Sequence, residues 1–153
     1  MNEDFLDMLR ALQSAGARFL IVGAHALAGH GIPRATGDFD LWVEATPDNA
    51  ARVWRALLDF GAPVAALGVR QEDFATPGLV IQIGLPPRRI DLLTSLTGLE
   101  FDAAWATHVT VTLAGMVLPL LDRDSLLANK RALGRPQDLA DVDALSRQRP
   151  GND

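Results

Sequence analysis

The chain of 153 residues contains no cysteine and no tyrosine, and aromatic side chains make up only 6% of it. The absence of cysteine excludes disulfide bonds, thiolate metal sites and cysteine nucleophiles. Basic residues are also in deficit, with 14 Lys and Arg against 19 Asp and Glu and a formal net charge of −5. This balance argues against general nucleic-acid binding, because such binding depends on many Lys and Arg contacts to phosphate.

The sequence also lacks targeting and membrane signals. It begins M-N-E-D-F-L-D, with acids where a signal or transit peptide would be basic. The longest uncharged stretch, residues 103–121, is interrupted by threonines, a histidine, a glycine and a proline, and it alternates like short strands rather than like a membrane helix. We therefore expect a cytoplasmic protein without a membrane partner.

Apolar residues are plentiful enough to build a core. Hydrophobic residues make up 48% of the chain and charged residues 22%, a composition that excludes general disorder. The length is typical of one folded unit. We predict a single domain over residues 1–146 and a polar tail over residues 147–153.

The hydrophobic pattern changes repeatedly between helical and strand periods. It predicts helices over 4–14, 24–29, 47–60, 101–107, 124–133 and 136–146, and strands over 18–22, 38–43, 79–83, 89–93, 108–113 and 117–120. The regular alternation of a doubly wound sheet is lost after residue 76, where the pattern of 66–76 is unclear. The order indicates an α/β (α+β) fold with a short mixed sheet, flanking helices and two C-terminal helices.

Two carboxylates, Asp38 and Asp40, lie two residues apart on a predicted strand. Side chains alternate along a strand, so both face the same way. Carboxylates held side by side repel each other unless a cation lies between them or one of them is protonated. A divalent metal satisfies such a pair, and Mg²⁺ favours one or two carboxylates together with water and phosphate oxygens.

A third acid, Asp91, lies in the apolar segment R-R-I-D-L-L. A buried carboxylate is costly without a partner. If its strand lies beside that of Asp38 and Asp40, the three acids converge on a metal site. The alternative is that Asp38 and Asp40 form a solvated edge and that Asp91 pairs with Arg88 or Arg89.

Gly23 lies where a predicted strand passes into a helix. The free N–H groups at the start of a helix suit phosphate, and a glycine lets phosphate approach closely. Most glycines at such junctions only make a turn, so this signal depends on its combination with the three acids.

Together these segments resemble the DNA polymerase β-type nucleotidyltransferase superfamily. The resemblance rests on F-L-I-V-G-A-H-A-L, on H-G-I-P-R-A-T-G-D-F-D-L and on I-D-L-L, which match its glycine turn, its acid–x–acid strand and its third-carboxylate strand. Arg34 and Thr36 narrow the resemblance to the small bacterial and archaeal minimal nucleotidyltransferases and AbiEii-like toxins. The segment L-L-A-N-K-R-A-L-G-R-P-Q-D-L-A-D-V is similar to the lysine-and-RxxDxxD ending of the latter, so the similarity covers most of residues 18–145.

The resemblance implies Mg²⁺-dependent transfer of a nucleoside monophosphate from a nucleoside triphosphate to an acceptor. Asp38 and Asp40 would coordinate two Mg²⁺ ions, and Asp91 would hold the ion that activates the acceptor, a two-metal arrangement that stabilises attacking and leaving oxygens. Gly23 and the following N–H groups would bind the triphosphate. The acceptor could be a protein hydroxyl, a tRNA end or a small molecule.

Four further residues are assigned to nucleotide binding by the resemblance, and three of them have an alternative role. Ala24 stands where enzymes of the superfamily have Ser or Gly, so it offers only its backbone N–H. Arg34 is a phosphate ligand or a partner of Asp38, and Thr36 binds a metal-bound water or caps a turn. Lys130 reaches the triphosphate or lies on a solvated helix face.

A second class of function follows from the Ala24 departure and from the small size of the chain. An inactive or weakly active relative would act by binding, for example as one partner of a toxin–antitoxin pair with a small protein. The two classes differ in whether Asp38 is required for the cellular effect.

Overall fold

The computed structural model describes residues 1–34 and 36–148. The helices of this part of the chain span Glu3–Ser14 (α1), Gly23–Gly29 (α2), Pro47–Phe60 (α3), Val64–Leu67 (α4), Phe101–Thr107 (α5), Arg123–Leu133 (α6) and Pro136–Ser146 (α7), with a short 3₁₀ helix over Gln71–Ala75. The strands span Phe19–Val22 (β1), Asp38–Val43 (β2), Val80–Ile83 (β3), Arg89–Leu93 (β4), Val109–Leu113 (β5) and Met116–Leu120 (β6).

The helix ends are set by capping residues visible in the sequence. The Thr46 hydroxyl accepts a hydrogen bond from the Asn49 N–H at 3.2 Å, Pro47 occupies the first turn of α3, and Gly61 ends that helix at a φ of +87°. At α6, the Asp122 carboxylate caps the first turn. The predicted helix bounds are therefore confirmed to within one or two residues.

The strands form one mixed sheet in the order β3-β4-β2-β1-β6-β5. Strand β2 pairs antiparallel with β1 and parallel with β4, whereas β6 is parallel to β1 and antiparallel to β5. The mixed sheet and its flanking helices confirm the predicted fold class. The β5–β6 hairpin and the β3–β4 pair are confirmed as well.

The two faces of β2 have different neighbours. Phe5 of α1 stacks on Phe39 with 4.7 Å between the ring centroids, so α1 covers one face. Asp38 and Asp40 alternate with Phe39 and therefore point to the other face. On that face Trp42 is buried against Phe101 of α5. The core therefore packs against one face of β2, and the carboxylates of Asp38 and Asp40 lie on the other face.

The segment that showed no clear pattern, residues 66–76, contains the end of α4 and the 3₁₀ helix. Both are too short to show a helical period. The 3₁₀ helix is held by the Arg70 N–H, which donates to the Asp73 carboxylate at 2.9 Å, and it buries Phe74 completely. The predicted polar tail lies outside the described residues from position 149 onward.

A search of the described residues for a helix both long enough and apolar enough to cross a bilayer finds none.

Candidate active site

Strand β4 lies directly beside β2, in parallel, and the register places Asp40 opposite Asp91. Asp38 lies opposite Arg89 in the same ladder. Residues two apart on a strand share a face, so the four side chains form the corners of a rectangle. The condition for convergence of the three acids is therefore met, and we call Asp38, Asp40 and Asp91 the carboxylate centre.

Arg89 lies between two members of the carboxylate centre. Its Nε donates to Asp91 Oδ1 at 3.0 Å, and its Nη2 donates to Asp91 Oδ2 at 3.3 Å and to Asp38 Oδ2 at 2.7 Å. The pairing of Asp91 with Arg89 is thus present together with the convergence. Arg88 instead pairs with Asp4 at the surface. Burial still raises the pKa of Asp91 above its usual range, despite the Arg89 hydrogen bonds.

Asp40 differs from the other two acids because its charge is unpaired. Its Oδ1 is buried and accepts no hydrogen bond from the described residues. Burial, as the largest cause, and the negative charges of Asp91 and Asp38 raise the pKa of Asp40 to about 6, even though the positive charges of Arg89 and Lys130 partly oppose them. A carboxylate in this state favours either a proton or a bound cation.

The backbone of Gly23 lies against the Asp40 carboxylate, so a side chain at position 23 would collide with it. A Cβ at position 23 would lie 2.5 Å from Asp40 Oδ2, closer than any real contact, and the φ of Gly23 is +67°. A glycine satisfies both demands. Ala24 follows in the first turn of α2.

A cleft of about 520 Å³ opens beside the carboxylate centre. Its wall contains five of the predicted site residues, Gly23, Ala24, Asp38, Asp40 and Lys130. Asp91, Arg34 and Thr36 do not line it. The cleft therefore joins the glycine turn, two of the acids and the C-terminal lysine in one space.

Lys130 belongs to a second group of charges, Arg34, Lys130, Arg135, Asp138 and Asp141, which we call the ion-pair cluster. Lys130 Nζ lies 3.4 Å from Asp138 Oδ1 and 3.2 Å from Asp141 Oδ2. Arg135 Nε lies 2.6 Å from Asp138 Oδ2, and the Arg135 hydrogen bond holds the pKa of Asp138 below its usual range. The Lys130 side chain is buried, which excludes a solvated helix face.

Arg34 and Thr36 have structural partners. Arg34 forms an ion pair with Asp141 of α7 and not with Asp38, the alternative partner considered from the sequence. The Thr36 hydroxyl accepts from the Asp38 N–H at 3.1 Å and lies 3.2 Å from the Asp38 carbonyl oxygen, to which it donates. Thr36 thus caps the turn that leads into β2, and these contacts give neither residue a place in the cleft.

The fit to a divalent cation is good for two of the three acids. Asp38 and Asp40 line the cleft, and Asp40 Oδ1 has no hydrogen-bond partner among the described residues, so a bound hard ion would satisfy it. Both oxygens of Asp91 are occupied by Arg89. Consistent with this, the described residues contain no group of three or more His, Cys, Asp or Glu side chains arranged to hold a metal.

Sequence reasoning named Arg89 only as an alternative partner of Asp91 and missed its contact with Asp38. The sequence does indicate that Arg89 lies on the face of the carboxylates, since Arg89 and Asp91 are two residues apart on a strand and must share a face. What was missing was the neighbouring strand, because the β2–β4 pairing brings together residues about fifty positions apart in the chain.

Comparisons with known proteins bear on the fold. The chain matches no protein-family model and no curated protein. Its structure is similar to the crystal structure of a Thermotoga maritima protein titled "putative nucleotidyltransferase", with a TM-score of 0.59 and 15% sequence identity over 97% of this chain and 96% of that one. This chain therefore has a nucleotidyltransferase-like fold.

Proposed function

We propose that the protein is a Mg²⁺-dependent nucleotidyltransferase that moves a nucleoside monophosphate from a nucleoside triphosphate to an acceptor. The observation that carries the proposal is the half-buried carboxylate of Asp40, which lines the cleft beside Asp38 and whose Oδ1 has no hydrogen-bond partner among the described residues. A carboxylate without an ion-pair partner in a cleft is costly to the fold, and a pKa shifted by burial and by neighbouring acids is typical of a functional site.

Asp38 and Asp40 would hold the metal, which when bound supplies positive charge to the reacting phosphate oxygens. Gly23 lets the triphosphate approach the backbone, and the Ala24 N–H offers a hydrogen bond without a side-chain hydroxyl. Lys130 projects its charge into the same cleft, where it meets an anionic ligand. Lys130 is held in place by Asp138 and Asp141.

The transfer forms a bond between an acceptor oxygen and the α-phosphorus and breaks the bond from that phosphorus to the β-phosphate bridging oxygen. Pyrophosphate leaves, and the acceptor proton passes to a carboxylate. Asp91, which does not line the cleft, would have to be released from Arg89 to reach the acceptor, and its raised pKa then suits a proton acceptor. A second metal at Asp91 would require the same release.

That Arg34 and Thr36 bind the nucleotide stays a prediction, and it would require both side chains to move when the nucleotide binds. In their observed positions they order the chain ahead of β2 instead. A protein hydroxyl, a tRNA end and a small molecule are all chemically suitable acceptors for the cleft.

The proposal is tested by titrating the protein calorimetrically with a non-hydrolysable nucleoside triphosphate, with and without Mg²⁺. We expect Mg²⁺-dependent binding, and transfer from labelled triphosphate that falls at least about a hundredfold in Asp38→Ala or Asp40→Ala. Asp143→Ala, which removes an exposed carboxylate, is the control that keeps both. Absence of Mg²⁺-dependent binding in the wild type contradicts the proposal.

The second candidate is an AbiEii-like or regulatory protein that acts by binding a small partner. It is favoured by Ala24 and by the occupation of both Asp91 oxygens by Arg89. In that case Asp38→Ala leaves the cellular phenotype and partner binding intact. Loss of the phenotype on this substitution favours the enzyme.

A further inference from the structure

Arg89 brings a positive charge into the centre that is proposed above to bind metal. Its guanidinium contacts both oxygens of Asp91 and one oxygen of Asp38. A guanidinium fork matches a carboxylate in two parallel hydrogen bonds, so the Asp91 pair is geometrically favourable. The same group then bridges two strands of the sheet.

The position of Arg89 is fixed by the backbone. It lies two residues before Asp91 on β4 and opposite Asp38 on β2, so its side chain starts on the face that carries the acids. One quarter of the side chain is exposed. The guanidinium is therefore in contact with solvent as well as with the carboxylates.

We propose that Arg89 is an internal counter-cation that competes with divalent metal ions for Asp38 and Asp91. This inference rests on the proposed function, because it concerns the same carboxylates. With Arg89 in place, one site is available, formed by Asp40 and the Asp38 oxygen that Arg89 does not contact. A metal ion that uses Asp91 must first displace the guanidinium.

A second observation supports a competitor rather than a purely structural ion pair. Arg89 neutralises Asp91 and part of Asp38 but leaves Asp40 Oδ1 without a partner. The three acids with one guanidinium retain a surplus of negative charge, so a cation drawn to Asp40 shares Asp38 with Arg89.

The experiment is a Mn²⁺ titration of the full chain without nucleotide, followed by the electron paramagnetic resonance signal of free Mn²⁺. For Arg89→Gln we expect Mn²⁺ affinity to rise about tenfold, because a unit charge a few ångströms from a divalent ion has about this effect. Arg88→Gln removes the same charge one residue away, from an exposed pair with Asp4, and should change the affinity less than about twofold.

Arg89→Lys separates occupation of the site from charge alone. Lysine keeps the charge but cannot bind both Asp91 oxygens in a fork. Competition predicts an affinity between those of the wild type and Arg89→Gln, whereas a long-range charge effect predicts the wild-type value. Thermal unfolding without metal supplies a second readout: Arg89→Gln should lower the midpoint, and Mn²⁺ should restore it by more than it raises the midpoint of the wild type.

The inference is overturned if the wild type binds Mn²⁺ in an Asp40-dependent manner and Arg89→Gln binds no more tightly than Arg88→Gln. In that outcome the proposed function stands. If neither the wild type nor any Arg89 variant shows Asp40-dependent Mn²⁺ binding, both the inference and the proposed metal dependence fail. Equal affinities for the wild type and Arg89→Lys, with tighter binding by Arg89→Gln, also overturn displacement in favour of simple charge repulsion.

Discussion

The carboxylate centre and the ion-pair cluster use the same kinds of side chain but balance their charges differently. In the ion-pair cluster, each oxygen of Asp138 and Asp141 lies within ion-pair distance of a Lys or Arg. In the carboxylate centre three acids share Arg89, and Asp40 has no ion-pair partner among the described residues. Both groups meet at the cleft, through Asp40 on one side and Lys130 on the other.

This difference separates a structural group from a candidate site. Paired buried charges hold α6, α7 and the segment before β2 together, and removing one partner leaves an uncompensated charge in the interior. The half-buried carboxylate of Asp40, which has no ion-pair partner among the described residues, lowers stability, so its removal should be neutral or favourable for folding. Removing an acid is therefore expected to lower the free energy of unfolding in the ion-pair cluster, whereas removing Asp40 from the carboxylate centre should leave it unchanged or raise it.

The largest expected effect is that of Asp141→Ala. The carboxylate is 1% exposed and pairs with both Lys130 and Arg34, so its loss should reduce the free energy of unfolding by about 3–5 kcal/mol. Urea unfolding measures this change. The control Asp143→Ala removes an exposed acid two residues away in α7 and should change stability by less than about 1 kcal/mol. Equal effects of the two substitutions would show that the cluster does not stabilise the fold.

Gly23→Ala tests the tight contact with Asp40. The new Cβ meets the carboxylate at 2.5 Å and forces an alanine into a left-handed conformation. We expect a loss of about 3 kcal/mol, against about 1 kcal/mol for Gly16→Ala. Gly16 has a similar φ of +70° but nothing within 4 Å of the new Cβ, so the difference isolates the clash. Similar losses would mean that Asp40 moves aside freely.

Asp40→Asn should stabilise the metal-free protein by about 1 kcal/mol at neutral pH, because it removes a buried charge that lacks a partner. The same variant should bind Mn²⁺ at least about tenfold more weakly. Asp59→Asn, an exposed acid at the end of α3, serves as the control and should change stability by less than about 0.5 kcal/mol. If Asp40→Asn instead lowers the free energy of unfolding, the carboxylate centre and the ion-pair cluster do not differ in how the loss of an acid affects stability.

The pH dependence of stability tests the charge of Asp40 without any substitution in the wild type. The folded-state pKa of Asp40 is about 6 and its unfolded value is 3.8, so the folded state binds the proton more tightly. The resulting stabilisation is complete below the unfolded pKa and is lost as the pH rises through the folded pKa. Between about pH 4 and 7, metal-free wild type should therefore lose stability relative to Asp40→Asn, and Mn²⁺ binding should strengthen. If the free energies of unfolding of the wild type and of Asp40→Asn change with pH in the same way across this range, the raised pKa of Asp40 is contradicted.

Apart from α4 and the 3₁₀ helix, the helices, the strands and the faces of β2 were predictable because they depend on local chemistry. Thr46, Pro47 and Gly61 mark α3 by capping, and the alternation around Phe39 indicates which side chains share a face. The convergence of Asp91 with Asp38 and Asp40 was predictable only as a condition, since strand order in the sheet depends on tertiary packing.

The partners of individual charges were less predictable. Arg34 is four residues from Asp38 in sequence but pairs with Asp141, a hundred positions away, because α7 packs against the segment before β2. Lys130 lies in a helix with charged neighbours and is nevertheless buried, because two acids of α7 neutralise it. These contacts follow from how the elements pack, which no local pattern reports.

The most direct test of the account is a crystal of the full chain soaked in Mn²⁺ and a non-hydrolysable nucleoside triphosphate, with the metal located by its anomalous signal. We predict a Mn²⁺ peak about 2.2 Å from carboxylate oxygens of both Asp38 and Asp40, with the triphosphate in the cleft beside Gly23 and Lys130. A map in which Mn²⁺ and triphosphate are absent from the cleft, while Asp40 Oδ1 stays without a partner, would contradict the account.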